Sequence, residues 1–149
     1  RGMDRSVVRA RRDDLIEALD LTSAGGRLVA DYSAGMTKKV ALACALVHAP
    51  RVLVLDEPFE AVDPMSAASI RTILRSFVAS GGTVVLSSHV MALVEQLCDH
   101  VAVVAGGRVL AAGPLDEVRA GHDLETRFLG LLGGTAEQRE LTWLRPSSD

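Results

Sequence analysis

The chain has 149 residues, 48% of them hydrophobic, and a formal net charge of −3. That length and apolar content suit one domain with a real core and exclude an intrinsically disordered chain. Acids and bases are interspersed after an Arg-rich start, which gives no reason to expect a nucleic-acid surface, and the longest apolar run, Val40 to Val47, falls well short of the ~20 residues a membrane-spanning helix needs.

Cys44 and Cys98 stand singly inside helical apolar patterns. They read as small buried hydrophobes of a reducing compartment rather than as a disulfide or a zinc site. Arg residues interrupt the first stretch, so no signal-peptide pattern is present and a cytoplasmic location is expected. The chain starts with Arg1 inside a helical pattern, as a piece of a longer protein would.

From Asp4 to Leu19, the residues Val8, Leu15, Ile16 and Leu19 fall on one helical face, with Asp13, Asp14 and Glu17 opposite. Arg1, Arg5, Arg9, Arg11 and Arg12 are expected to form a solvated face. Ser23 to Asp31, containing Gly25 and Gly26, reads as a loop. Between Tyr32 and Pro50, Ser33 suits an N-cap and Val40 to Val47 is apolar nearly all round, which predicts a helix buried on most sides and stopped by Pro50. The N-terminus of such a helix is a ready anion site.

Val52 to Leu55 is a short apolar run with the look of a strand buried on both faces of a parallel sheet, and it ends on Asp56 and Glu57. Adjacent carboxylates at a buried strand's end are costly to desolvate, so they belong where water, a metal ion or a cation meets them. A bare Asp-Glu pair would be a solvated acidic turn. Asp63-Pro64 follows, then Ser66 to Ser80 repeats a helical face through Ile70, Ile73, Leu74, Phe77 and Val78, stopped by Gly81-Gly82. Thr83 to Leu86 reads as a second buried strand, making a strand, helix, strand unit with a right-handed crossover. His89 comes directly after it, so two strand ends deliver polar groups to one sheet edge, where open α/β sheets bind ligands. His48, His100 and His122 have no motif around them.

Val90 to Cys98 predicts a short helix with Met91, Val94 and Leu97 inward. Val101 to Val104, Gly106-Gly107 and Arg108 to Ala111 predict a hairpin. Pro114 to Arg119 reads as a helical turn, Leu124, Phe128, Leu131 and Leu132 as a last apolar face, and the tail from Thr135, with Trp143, carries no legible chemistry.

Four of these stretches together resemble the nucleotide-binding domain of ATP-binding-cassette (ABC) proteins, over roughly Asp4 to Gly133. Val52 to Glu57 looks like a Walker B strand with its carboxylate, Ala61-Val62-Asp63 like the D-loop, Tyr32-Ser33-Ala34-Gly35-Met36 like the signature motif, and Ser87-Ser88-His89 like the segment with the switch histidine. Their shared order and spacing is the signal. The usual signature is Leu-Ser-Gly-Gly-Gln, so Ala34 and Met36 depart from it: a Cβ at 34 limits close approach or positive φ, and Met36 offers no amide.

The resemblance implies an α/β, parallel-sheet, P-loop NTPase-like (RecA-like) core lacking its N-terminal strands, with part of the ABC helical subdomain and a terminal β-hairpin. Residues 1–134 would be the C-terminal portion of the domain, with about 4–50 the helical subdomain and signature helix, 51–134 the core, and 135–149 a tail. It implies an ATP-hydrolysing subunit of an exporter-type ABC transporter. In that subunit Asp56 would hold Mg²⁺, Glu57 activate water and His89 meet the γ-phosphate, while Asp63 would couple two subunits paired head to tail. Ser33 and Gly35 would complete the partner's site. Further expected associations are a transmembrane permease and, through it, the inner face of the membrane.

No Gly-x-x-x-x-Gly-Lys-Ser/Thr occurs in the 149 residues. That loop supplies the backbone cradle and lysine for the phosphates, so Mg-ATP is expected to bind this chain weakly or not at all. The competing readings are a non-catalytic dimerisation or interaction fragment and a non-transport ABC ATPase of DNA repair or translation.

Overall fold

The computed structural model describes residues 2–133, which leaves Trp143 and the tail from Thr135 outside. The chain divides into two compact units, the first ending at His89 and the second starting at Val90.

The first unit opens with α1 (Arg5–Ala18), capped by Asp4, whose carboxylate accepts the Ser6 N–H at 2.7 Å. Its apolar face ends in Leu19, which is fully buried, and Ile16 packs beside it. Arg11 does not lie free in the expected solvated face. Its Nη1 donates to the Val47 carbonyl at 3.1 Å, at the C-terminal end of α2 (Ala34–Leu46), where orphan carbonyls favour a cation. Two single 3₁₀ turns, Thr22–Ala24 and Val29–Asp31, make up the intervening loop.

Strand β1 (Val52–Leu55) pairs in parallel with β2 (Thr83–Leu86), and α3 (Pro64–Ala79) forms the crossover between them. Helix α3 starts where Pro64 sits at the first helical turn, its missing N–H being no loss there. The core is Leu19, Leu21, Leu42, Leu53, Ile70 and Leu74, with Met36, Leu55, Phe59, Phe77 and Val84 packed against it. Fully burying a side chain such as Leu19 or Ile70 stabilises by about 1.5–3 kcal/mol.

Two expectations need correcting. Neither strand is buried on both faces: Leu53 is buried and Val84 half-buried, yet Val52, Val54 and Val85 are 54%, 77% and 53% exposed. A continuous apolar run signals two covered faces, but among the described residues helices α2 and α3 cover one. For the same reason α2 is not buried on most sides, and Cys44 is exposed rather than a core residue. Its buried positions are Gly35, Lys39 and Leu42, and a buried lysine is not something the apolar pattern announces.

The second unit contains α4 (Met91–Leu97), the antiparallel pair β3 (His100–Ala105) and β4 (Arg108–Pro114), α5 (Leu115–Arg119) and α6 (Leu124–Leu131). Gly106 and Gly107 both take positive φ, as a two-residue hairpin turn requires. Val103, Val118 and Leu124 are its core, joined by Met91, Val94, Phe128 and Leu131. Leu132, expected on that face, is 47% exposed because α6 ends before it. Cys98 is half-buried, and that burial together with Asp99 pushes its thiol up, leaving it a poor nucleophile. Among the described residues no helix is long and apolar enough to cross a membrane.

Among the described residues β1 and β2 pair only with each other and their valine face is open, features that favour association. In sedimentation velocity the 149-residue chain is expected to self-associate, and the Val54→Thr/Val85→Thr double substitution to weaken that association. A monomeric mass across a wide concentration range would contradict it.

Candidate functional site

The site is built by backbone pairing. The register Val52↔Thr83 to Leu55↔Leu86 is extended at its end by the Ser87 N–H donating to the Leu55 carbonyl at 3.0 Å, which sets Ser87 beside Asp56. The Ser87 hydroxyl then donates to Asp56 Oδ1 at 2.5 Å and accepts the Glu57 N–H at 2.9 Å. A single hydroxyl thus ties both acidic residues of one strand end to the next strand. Two residues on, His89 Nδ1 lies 2.9 Å from Glu57 Oε1.

Glu57 is non-glycine in the left-handed region, with φ of 42°. Such a backbone costs about 1–3 kcal/mol and persists only where its surroundings over-determine it. Here they do: its N–H goes to Ser87, its carbonyl accepts the Glu60 N–H at 3.2 Å and Lys38 Nζ at 2.7 Å, and its carboxylate meets His89. The Glu57 side chain is 27% exposed while His89 is 68% exposed. The Glu57 carboxylate, by hydrogen bond and by charge, raises the His89 pKa above its ordinary 6.5.

Ser33 caps α2 as its sequence suggests, its Oγ accepting the Met36 N–H at 3.2 Å. Tyr32 is anchored by its hydroxyl on the Ala24 carbonyl at 3.0 Å, and the Arg27 guanidinium lies 5.9 Å from its ring centroid. Ala34 is exposed at the first helical residue and needs no positive φ, so its methyl is accommodated. Gly35 is the constrained position. A Cβ there would stand 2.7 Å from Asp63 Oδ2 and 2.8 Å from Ser66 Oγ. Asp63 in turn caps α3, accepting the Ser66 N–H at 2.9 Å, and those hydrogen bonds hold its carboxyl below the usual range.

Among the described residues no group of three or more His, Cys, Asp and Glu could hold a metal. Asp56, exposed and hydroxyl-bonded, fits the sparse protein share of a Mg²⁺ site, which is completed by waters and phosphates. A shallow open depression of about 360 Å³ lies between the first turns of α2 and the turn after Glu57, lined by Tyr32, Ala34, Thr37, Lys38, Ala41, Glu60 and Ala61.

The structure brings Asp56, Glu57 and His89 together at one sheet edge, and Gly35 against Asp63 at two helix starts. Sequence reasoning gave no role to Ser87, Lys38 or Ser66. For Ser87 a signal existed, a hydroxyl two residues before His89 at a strand end; for Lys38 none did.

A sequence model of the family described as "ABC transporter" matches residues 4–60. The chain is 38% identical over 146 residues to a daunorubicin resistance ATP-binding protein of Streptomyces coeruleorubidus, covering 95% of this chain and 46% of that one. It is 36% identical over 129 residues to the Nod factor export ATP-binding protein I of Rhizobium etli, covering 87% and 39%. A solved ATP-binding subunit of an ABC transporter superposes with a TM-score of 0.80 at 29% identity, over 88% of this chain and 57% of that one. The chain therefore spans less than half the length of these curated relatives.

Because the His89 pKa is raised, its pairing with Glu57 favours the folded state fully below about pH 6.5 and is lost as pH rises through the folded value. An NMR titration is expected to place His89 above 6.5, and Glu57→Gln to return it toward that value; a parental value at or below it would show that the contact does not form in solution. Packing supplies a second expectation. Gly35→Ala should cost about 1–3 kcal/mol in denaturant melts, whereas Ala34→Gly, at an exposed first-turn position, should change stability by a few tenths, about what the helix-start preference allows.

Proposed function

The chain belongs to the ABC transporter family of ATP-binding proteins, and we propose that it carries the water-activating half of an ATP hydrolysis site in a subunit that powers an exporter. The observation that carries this is the contact of His89 Nδ1 with Glu57 Oε1 at 2.9 Å, one residue along from an Asp56 held by the same Ser87 hydroxyl.

In this reading Glu57 is the general base: its carboxylate orients the attacking water and takes its proton as the water oxygen bonds to the γ-phosphorus and the bond to the β,γ-bridging oxygen breaks, so that ADP leaves. His89 keeps Oε1 of that carboxylate in place with one ring nitrogen and has a second nitrogen to offer the γ-phosphate. Asp56 would hold Mg²⁺, which supplies charge neutralisation on the phosphate oxygens when bound. Phosphoryl transfer needs such positioning and charge compensation rather than covalent help.

Ser33 and Gly35, at the start of α2, serve the site of a second subunit paired head to tail, and Asp63 lies where the two subunits would couple. Gly35 also has its own reason to be glycine inside the chain, the close approach of Asp63 and Ser66. The phosphate cradle is not among these 149 residues, so ATP affinity in this reading comes from elsewhere in a full-length subunit. Relatives named for daunorubicin resistance and Nod factor export support the exporter assignment. A transmembrane permease would hold the subunit at the cytoplasmic membrane face and choose what is transported.

Neighbouring substitutions test it in a full-length subunit carrying this chain. Glu57→Gln keeps the side chain's size and removes the basic oxygen, so nucleotide binding should persist while turnover falls by roughly 10²–10⁴. Asp56→Asn should instead weaken Mg²⁺-dependent nucleotide binding together with hydrolysis. Turnover near the parental rate in Glu57→Gln would remove Glu57 from the role of base.

A further inference from the structure

We infer that Lys38 is a positioning residue for Glu57: its ammonium reaches from α2 to the Glu57 carbonyl and clamps the backbone on which the proposed base stands. The inference rests on the reading of Glu57 as that base and adds a residue outside the four motifs.

The geometry is specific. Lys38 Nζ donates to the Glu57 carbonyl at 2.7 Å across a half-buried contact spanning nineteen residues of sequence. Donation from an ammonium is charge-assisted and stronger than a neutral amide bond, the more so where water is partly excluded. The same carbonyl also accepts the Glu60 N–H, which closes the turn after Glu57. Both lone pairs of that oxygen are therefore engaged.

Left-handed φ at a glutamate needs such over-determination. Two of the holds on Glu57, the Ser87 hydroxyl and the His89 ring, come from the segment after β2. Those alone leave the peptide plane after Glu57 tied only to its own turn. Lys38 comes from a different element, and one with little freedom, because α2 is locked by Gly35 against Asp63 and Ser66 and by Leu42 in the core. A flexible four-carbon stem on a fixed helix makes a tether whose anchor does not move. Lys39, about 100° further round the helix, is buried, so the adjacent lysines do different work.

A second consequence is mechanical. Ser33 caps the helix that carries Lys38, so a shift of that helix start is passed to the Glu57 backbone within the same chain. A lysine whose only role was solubility would show neither the contact nor this linkage.

Lys38→Met keeps the stem and removes the donors, while Lys38→Arg keeps a donor. Amide hydrogen exchange of the 149-residue chain is expected to run about tenfold faster at Glu57 in Lys38→Met, the loss of roughly one net hydrogen bond. Lys38→Arg should restore most of the protection. In a full-length subunit Lys38→Met should lower kcat about tenfold with KM unchanged, since a misplaced base loses transition-state interactions and not substrate binding. Exchange at Glu57 within about twofold of the parent in Lys38→Met, on the same hydrogen-bond scale, would overturn the inference. So would a parental kcat in Lys38→Met when Glu57→Gln is inactive. A parental kcat in Glu57→Gln would instead overturn the general-base reading, and the exchange result would then decide the tether alone.

Discussion

Parallel pairing of two four-residue strands is the constraint on which the candidate site depends. Val52 to Leu55 and Thr83 to Leu86 align residue for residue, and the ladder runs on through Arg51 at one end and Ser87 at the other. Because side chains alternate faces along a strand, a slip of one residue would turn Ser87 away from Asp56 and carry Leu53 out of the core. Packing of Leu53 with Leu42, Ile70 and Leu74 thereby fixes the register, and the register places the polar groups. Burial on one side of the sheet and chemistry at its edge are one event.

Helix α2 is the second fixed body. Its start is pressed so closely onto the start of α3 that Gly35 has no room for a Cβ, and Asp63 and Ser66 fill the space instead. Each of the two helices is capped by a side chain immediately before it, Ser33 for one and Asp63 for the other, so the motif residues also satisfy backbone donors that would otherwise be orphaned. The departure from the family's signature at Ala34 falls on an exposed first-turn residue, where a methyl meets nothing that the fold requires to be empty. Of the two positions where the family keeps glycine, only Gly35 is held to it by packing within this chain.

Besides the apolar packing of Leu42 with Leu53, the two bodies share polar links. Lys38 reaches from α2, Ser87 and His89 from the segment after β2, and all three end on Glu57, whose left-handed backbone none of them would need to hold were it ordinary. Strain at a residue proposed for catalysis, balanced by contacts from separate elements, is the pattern expected of a preorganised group.

Much of this was legible in the residues themselves. Helical spacing placed α1, α3 and α6 and named Leu19, Ile70, Leu74 and Leu124 as inward; Gly106-Gly107 announced the hairpin turn; and the ends of two apolar runs brought Asp56, Glu57 and His89 to a common edge. Those signals are local, since period, caps and turn chemistry are written within a few residues. The sequence pattern failed where the answer lay in another element: Cys44 and Val54 read as buried because apolarity records what a residue could pack against and not what covers it, and both are exposed. Nothing near Lys38 pointed nineteen residues ahead to the Glu57 carbonyl, and nothing near Gly35 pointed to Asp63. Residue type and spacing determined which groups were available and on which elements; tertiary packing alone decided which of them touch, because a contact between helix and strand end depends on register and close approach that no single segment encodes.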